Sequence, residues 1–494
     1  MSNTDTVTPT PRTTPLSPWP ALWALVIGFF MILVDTTIVS VATPAIMDGL
    51  DADVGAAVWV TSAYLLAYAV PLLITGRLGD RFGPKRLYLI GLAIFTLASA
   101  VCGFATDISM LIAARAVQGF GAALMTPQTM AVITRTFPPE RRGAAMGLWG
   151  SVAGVATLVG PLAGGVLLDT LGWEWIFFVN IPVGLIGFVA ALRLVPSLEK
   201  HVHRFDWLGV ALSAIGIFCL VFGLEEAEKY DWGTIAGPIS VWGLIVTGLV
   251  VMLGFVLWQH FNTGEPLVPL ALFKDRNFTA ANIAIFAMGF ITLSMSFPIM
   301  LYAQSARGLS PTQSALLMLP MAVISGGLAP WIGSMLNKRD PRPFAVTAFV
   351  LLAIGLLLYG VWMRPEYSVL WLLIPGVFLG LANAGIWGPL SVSATRNLPM
   401  HRAGAGSGVY NTTRQIGAVI GSASIATFMQ YRIGAHLPGP MPSGGGFGQQ
   451  IPPFIVEPFS LAMGESIWLP AAVALIGVLG SSLLVWRPNE RGAH

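Results

Sequence analysis

Charge is scarce in this chain. Of its 494 residues only 10% are Asp, Glu, Lys or Arg, against roughly 25% in soluble domains. That scarcity excludes an ordinary soluble fold. Cysteine is rarer still. Cys102 and Cys219 are the only two, and both lie inside apolar runs, where they read as helix filler rather than a disulfide or a metal site. The six histidines form no ligand cluster, and none falls in the middle of an apolar run. There is no Gly-x-x-x-x-Gly-Lys-Ser/Thr loop to cradle ATP, and no nucleophile with an evident base. The expectation is therefore no enzyme, no cofactor and no metal. The net charge is only +3, and the basic residues sit in short loops rather than one patch, which argues against a nucleic-acid partner. Met1–Pro20 is rich in Ser, Thr and Pro and reads as a disordered polar tail rather than a cleavable leader.

Apolar sequence is abundant. Hydrophobic residues make up 55% of the chain, and the mean hydropathy is +0.75. Many runs reach the ~20 residues needed to cross ~30 Å of hydrocarbon. The fold expected is an all-α polytopic membrane protein with fourteen spans, at about 21–44, 57–76, 87–105, 108–134, 143–168, 175–195, 205–225, 236–259, 278–303, 313–336, 344–363, 367–394, 402–430 and 464–486. With the first tail inside, twenty of the 26 Lys and Arg fall on the cytoplasmic side and four outside, while Arg115 and Arg414 lie within spans. That bias sets both termini in the cytoplasm. The implied division is a tail at 1–20, a six-helix half at 21–195, a two-helix insertion at 205–259, a second six-helix half at 278–486, and a tail at 487–494. The location is the cell membrane, the inner one in a bacterium.

The densest cluster of charge is Gly76-Arg77-Leu-Gly79-Asp80-Arg81-Phe-Gly83-Pro-Lys85-Arg86, between two uncharged runs. It reads as a tight cytoplasmic loop, with Asp80 favouring the start of the helix that follows. Gly333–Arg342 echoes it after span 10, with Asn337 where Asp80 stands. Repeated halves mark secondary transporters, which bind substrate near the midplane between them. The long outer loop after span 13, rich in Gly and Pro, reads as flexible and without chemistry.

Few polar residues lie deep in the spans. Asp35 falls ~20 Å from the inner end of span 1. An unpaired carboxylate there is costly, so it reads as a proton carrier or a counter-charge for a cationic substrate, the alternative being a structural hydrogen-bonder. Arg115 falls at similar depth in span 4, and pairing would reduce the cost of each. Gln118 follows on a face of small residues. Span 5 carries Gly147-(eight)-Ala156-(three)-Gly160-Pro161-Leu-Ala-Gly164-Gly165, suited to close helix approach. Arg414, in Asn411-Thr-Thr-Arg414-Gln415, has no evident acid at its depth; it reads equally as structural or functional. Gln118, Trp149, Asn411 and Arg414 are candidate substrate-cavity residues, with Trp387 and Tyr410 as further apolar lining. Asp206 reads as a helix cap. Glu225 and Glu226 read as a solvated outer end, with proton or cation binding as the alternative.

These motifs together resemble the major facilitator superfamily, and within it the fourteen-helix drug:proton antiporters of the EmrB/QacA type. Gly76–Arg86 resembles the superfamily's signature between helices 2 and 3. Asp35-Thr-Thr-Ile-Val-Ser-Val-Ala-Thr-Pro44 is similar to the family's helix 1 motif, with Ser40 and Thr43 in place of the usual Asn and Leu. Arg115-Ala-Val-Gln-Gly-Phe-Gly121 resembles the helix 4 motif linked to proton coupling. The Gly147–Gly165 pattern is similar to the antiporter motif, with Ala156 in place of a Gly. Trp173-Glu-Trp-Ile-Phe-Phe-Val-Asn180 resembles the family's start of helix 6. The resemblance implies proton-driven export of lipophilic or cationic drugs by alternating access. Asp35 and Arg115 would couple protons, and Gly76, Asp80, Arg81, Gly83 and Arg86 would form the cytoplasmic gate motif. The implied partners are a small-molecule substrate, protons and the bilayer, with the chain acting as a monomer. A dedicated exporter of one metabolite or antibiotic has the same skeleton. An importer and a non-transporting receptor or scaffold are the remaining readings.

Overall fold

The computed structural model describes residues 17–52, 54–198, 206–227, 230–262, 264, 266–336, 339–398, 402–437 and 451–486. The terminal tails (apart from residues 17–20), Asn337 and most of the loop after span 13 lie outside these. Helix dominates. The first group comprises α1 (Trp19–Leu50), α2 (Val54–Ala69), α3 (Leu72–Phe82), α4 (Pro84–Gly103), α5 (Ile108–Thr136), α6 (Pro139–Thr170), α7 (Trp175–Phe178) and α8 (Asn180–Leu194). A hairpin pair, α9 (Trp207–Glu225) and α10 (Val241–Phe261), follows. The last group comprises α11 (Arg276–Ser294), α12 (Ser296–Leu301), α13 (Pro311–Leu316), α14 (Leu319–Met335), α15 (Pro341–Trp362), α16 (Leu373–Thr395), α17 (Ala403–His436), α18 (Pro453–Ser466) and α19 (Trp468–Ser482).

The starts are written in short polar residues. Asp107 accepts a hydrogen bond from the Met110 N–H at the head of α5, Ser240 from Gly243 at α10, and Asp275 from Phe278 at α11. Ser310 and Gln313 close a reciprocal capping box on α13. Prolines account for several breaks. Span 2 was expected to be continuous, yet it bends by 45° between α2 and α3, where Pro71 withholds an amide hydrogen. Pro298 in α12, Pro320 in α14 and Pro470 in α19 each lie within three residues of a helix start. Before α10 the chain makes a two-stranded antiparallel hairpin, Thr234–Ala236 with Ile239–Ser240, where helix was expected from 236. Part of the supposed flexible loop is also helical, since α17 runs on to His436 and α18 begins at Pro453. Glu465 there accepts from Arg432 and contacts His436.

Helix thus falls on each of the fourteen expected segments. Among the described residues ten helical segments are long and apolar enough to cross a membrane, or eleven if the bent α2–α3 pair is one span. The stretch over α14 is apolar but short, and α6 and α17 are long but rich in Gly and polar residues. Within the first group α1 packs on α5, α6 and α8, and α4 on α5 and α8. Within the last, α11 packs on α17 and α19, and α15 on α16 and α19. The groups meet where α6 lies against α14 and α16, and where α3 lies against α17. The α9–α10 pair packs through α9 against α2 and α17, and Asp206 joins the two helices to each other. Its carboxylate accepts from Gly209 N, Trp258 Nε1, Gln259 Nε2 and Leu267 N at 2.7–3.2 Å. Burial pushes this carboxyl up, but those four donors together outweigh it and hold it below its usual range.

Candidate functional site

Asp35 and Arg115 are both fully buried, each with 0% exposure. Arg115 Nη1 donates to Asp35 Oδ2 at 2.6 Å. The carboxylate's other oxygen accepts from Gln118 Nε2 at 2.9 Å and Asn180 Nδ2 at 3.0 Å. Four helices converge here: α1 brings the acid, α5 the base and Gln118, α8 Asn180, and α2 the Val60 carbonyl that accepts from Arg115 Nε at 3.1 Å. The guanidinium lies over the Tyr64 ring, 4.1 Å from its centre. Gln118 Oε1 accepts from Arg115 Nη1 at 2.7 Å, so its amide bridges both charges. Gln118 therefore sits inside the ion-pair network rather than on an open substrate cavity. Protein donors around the carboxylate and acceptors around the guanidinium stand in for most of the water both charges gave up, as a pair in a low-dielectric interior requires, while Arg115 Nη2 has no hydrogen-bond partner among the described residues.

Three residues of this network were given no role from the sequence, Asn180 having been named only within the helix 6 motif. Asn180, Ser99 and Tyr64 each lie in an apolar run, and the only signal was a polar group at membrane depth. Asn180 also contacts Ser99 Oγ at 3.0 Å, and Ser99 donates to the Phe177 carbonyl. A short polar chain thus runs from Asp35 across α8 to α4.

Asp80 corrects the loop reading of Gly76–Arg86. Residues 76–82 are helical, the last turns of α3, and Gly83 (φ 93°) makes the turn into α4. Asp80 does not cap α4. It reaches 324 residues along the chain to the start of α17, where it accepts from Gly404 N at 3.0 Å and Ala405 N at 3.1 Å. Free amides at a helix N-terminus attract a carboxylate, and packing, not sequence proximity, decided which helix supplied them. Gly76 allows the approach: a Cβ there would meet the Gly404 carbonyl oxygen. Arg81 lies beside the Phe82 ring, and Arg86 is exposed.

The span 5 pattern lies on two faces of α6. Gly147 meets Gly333 and Ala329 of α14, and Gly165 meets Thr312 of α13. Gly160 and Gly164 meet Thr37 and Ile38 of α1. Pro161 lies inside α6 without breaking it. Trp149 is buried and stacked on Phe29 at 4.7 Å. Asn411 is buried and donates to the Ser407 carbonyl. Arg414 reaches back to the first group, donating to Tyr68 Oη at 3.2 Å, and that hydroxyl also contacts Thr126. Glu225 and Glu226 are not a solvated end. Glu225 accepts from Ser62 of α2 at 3.0 Å, and Glu226 is 2% exposed.

The profile of the Major Facilitator Superfamily matches residues 25–422. The chain belongs to the major facilitator superfamily. It is 51% identical to an uncharacterized MFS-type transporter of Mycobacterium tuberculosis, covering 95% of this chain and 81% of the relative. It is 34% identical to the tetracenomycin C resistance and export protein of Streptomyces glaucescens, over 85% and 78% of the two chains. It is 29% identical to the multidrug export protein EmrB of Haemophilus influenzae, over 94% of each. The resemblance to drug:proton antiporters of the EmrB type therefore holds. This superfamily member is a multi-pass cell-membrane transporter of small molecules, not an enzyme.

The Asp80 contact makes a prediction. Asp80→Asn keeps an acceptor but removes the charge facing the α17 N-terminus, worth about 1 kcal/mol. Opening of this end should rise about fivefold. A thiol placed by Ser407→Cys, buried beside the clasp, should react correspondingly faster with maleimide in the Asp80→Asn background. An unchanged rate would mean that Asp80 does not hold this end closed.

Proposed function

We propose that this transporter exports lipophilic or cationic compounds in exchange for protons, by alternating access. The observation that carries this reading is the buried Asp35 carboxylate. Among the described residues it lies in one network with Arg115, Gln118 and Asn180. A proton arriving from outside would neutralise Asp35 and release Arg115 from its ion pair. Loss of the proton to the inside would restore the pair. The two protonation states therefore differ in what holds α1 to α5, the kind of difference that can bias a rocking equilibrium.

In this reading the chain crosses the membrane fourteen times with both termini cytoplasmic. Halves 21–195 and 278–486 rock about the α6 seam, with 205–259 inserted between them, and the monomer is the working unit. Asp80 fastens the cytoplasmic end to α17. Substrate occupies the space between the halves near Trp149, Asn411 and Arg414. Export rather than import is supported by the likeness to proteins named for resistance and export.

The test is flux in proteoliposomes under an imposed pH gradient, with a panel of lipophilic cations and neutral drugs. Gradient-driven movement of several compounds is the expected outcome. Movement of one compound alone would favour a dedicated exporter, a reading supported by the relative named for tetracenomycin C. Accumulation in the opposite direction would sink the export reading, and movement of none, with protein folded, would sink the multidrug one.

A further inference from the structure

At the end of the bundle that carries the Asp80 clasp, a cavity of about 300 Å³ opens below α10. Lys274, Arg402 and His260 line it, with Pro269, Leu270 and Ala271 among its apolar walls. Among the described residues, two acids of the adjoining segments are engaged elsewhere. Asp206 accepts four hydrogen bonds, and Asp275 accepts from Phe278 N and Asn397 Nδ2. Among the described residues neither Lys274 nor Arg402 forms an ion pair. Among the described residues, the cavity lining thus carries positive charge with no ion-pair partner.

Its setting is apolar. α10 is the least buried of the candidate spans, and Leu249, Val250 and Leu253 stand 56–62% exposed along it. Trp207, Trp258, Phe261 and Phe273 form an exposed aromatic belt at the same end, as residues at a membrane–water boundary do. A ligand that satisfies both features carries an anionic phosphodiester at one end and hydrocarbon at the other. Basic pockets at this depth suit phospholipid head groups. Arg402 also immediately precedes α17, two residues from the Gly404 amide that Asp80 holds.

We propose that this cavity is a head-group site for an anionic glycerophospholipid, and that its occupancy steadies the N-terminus of α17 in the Asp80 clasp. The phosphodiester lies between Lys274 and Arg402, and the acyl chains run along the exposed face of α10. A free phosphate shares the head-group chemistry but not the chains, so the two are separable.

The test uses the full-length protein in neutral detergent, titrated with short-chain phosphatidylglycerol, short-chain phosphatidylcholine or inorganic phosphate. Thermal unfolding and native mass spectrometry are the readouts. Phosphatidylglycerol is expected to bind and raise the melting temperature, and to slow maleimide labelling of Ser407→Cys. Lys274→Gln with Arg402→Gln should weaken that binding about 30-fold, about fivefold per charge. Lys274→Arg with Arg402→Lys should retain it, which separates lost charge from lost fold. Equal stabilisation by phosphate alone would reveal a small-anion site and overturn the lipid assignment. Equal binding of phosphatidylcholine, or undiminished binding by the Gln variant, would overturn the cavity as the site. Unslowed labelling with lipid bound would overturn the link to the clasp. No transport is measured, so the outcome is independent of the proton-exchange reading.

Discussion

Asp35→Asn should reduce gradient-driven flux in proteoliposomes to the level of protein-free vesicles, while the protein remains folded. The substitution changes one atom of a carboxylate that is completely buried. Its amide oxygen still accepts from Arg115, while its NH2 replaces the oxygen that accepted from Gln118 and Asn180, so those two hydrogen bonds are lost or reversed. Arg115 keeps the Val60 carbonyl and the Tyr64 ring. The ability to gain and release a proton is lost outright, so the two states that differ by protonation collapse into one. Substrate binding and exchange without a gradient should survive, because neither needs the protonation change. Full pH-gradient-driven transport by the variant would remove Asp35 from the coupling step. Loss of exchange as well would point instead to a structural role.

Arg115→Gln should be the more damaging change for stability. It leaves the Asp35 carboxylate buried with only amide donors, and removing one partner of such a pair costs about 3–5 kcal/mol. Adding Asp35→Asn to it should recover most of that loss, because no uncompensated charge remains. The double variant should therefore melt above the Arg115→Gln single variant, yet carry no gradient-driven flux. A double variant no more stable than the single one would show that Arg115 stabilises the bundle through Val60 and Tyr64 rather than through Asp35. The comparison separates the pair's electrostatics from its packing, since residues in direct contact are where additivity fails.

Much of this protein was legible in its sequence. The apolar run lengths and the span 5 glycines act through local composition, which the chain carries with it. The depth of Asp35 and Arg115 follows from a constant rise of ~1.5 Å per residue, which is why a partnership between residues 80 apart could be anticipated. The breaks were less legible. Pro71 marks the bend at α2–α3, but Pro161 is accommodated inside α6 without breaking it. The neighbours decide, and the sequence does not list them.

Asp80 and Glu225 show what the tertiary structure alone decided. A carboxylate seeks amide or hydroxyl donors, and its sequence offers the nearest helix start or the solvent. Packing instead delivered the α17 amides to Asp80 and Ser62 to Glu225. The same holds for Asn180 and Ser99, whose polar groups gain meaning only once α8 and α4 meet α1. By itself the sequence determined the class, the helical segments and the deep charges, because apolar length and charge cost act residue by residue. Which donors surround each buried charge was left to the packed bundle, because hydrogen bonds form over about 3 Å and only the assembled helices bring distant residues that close.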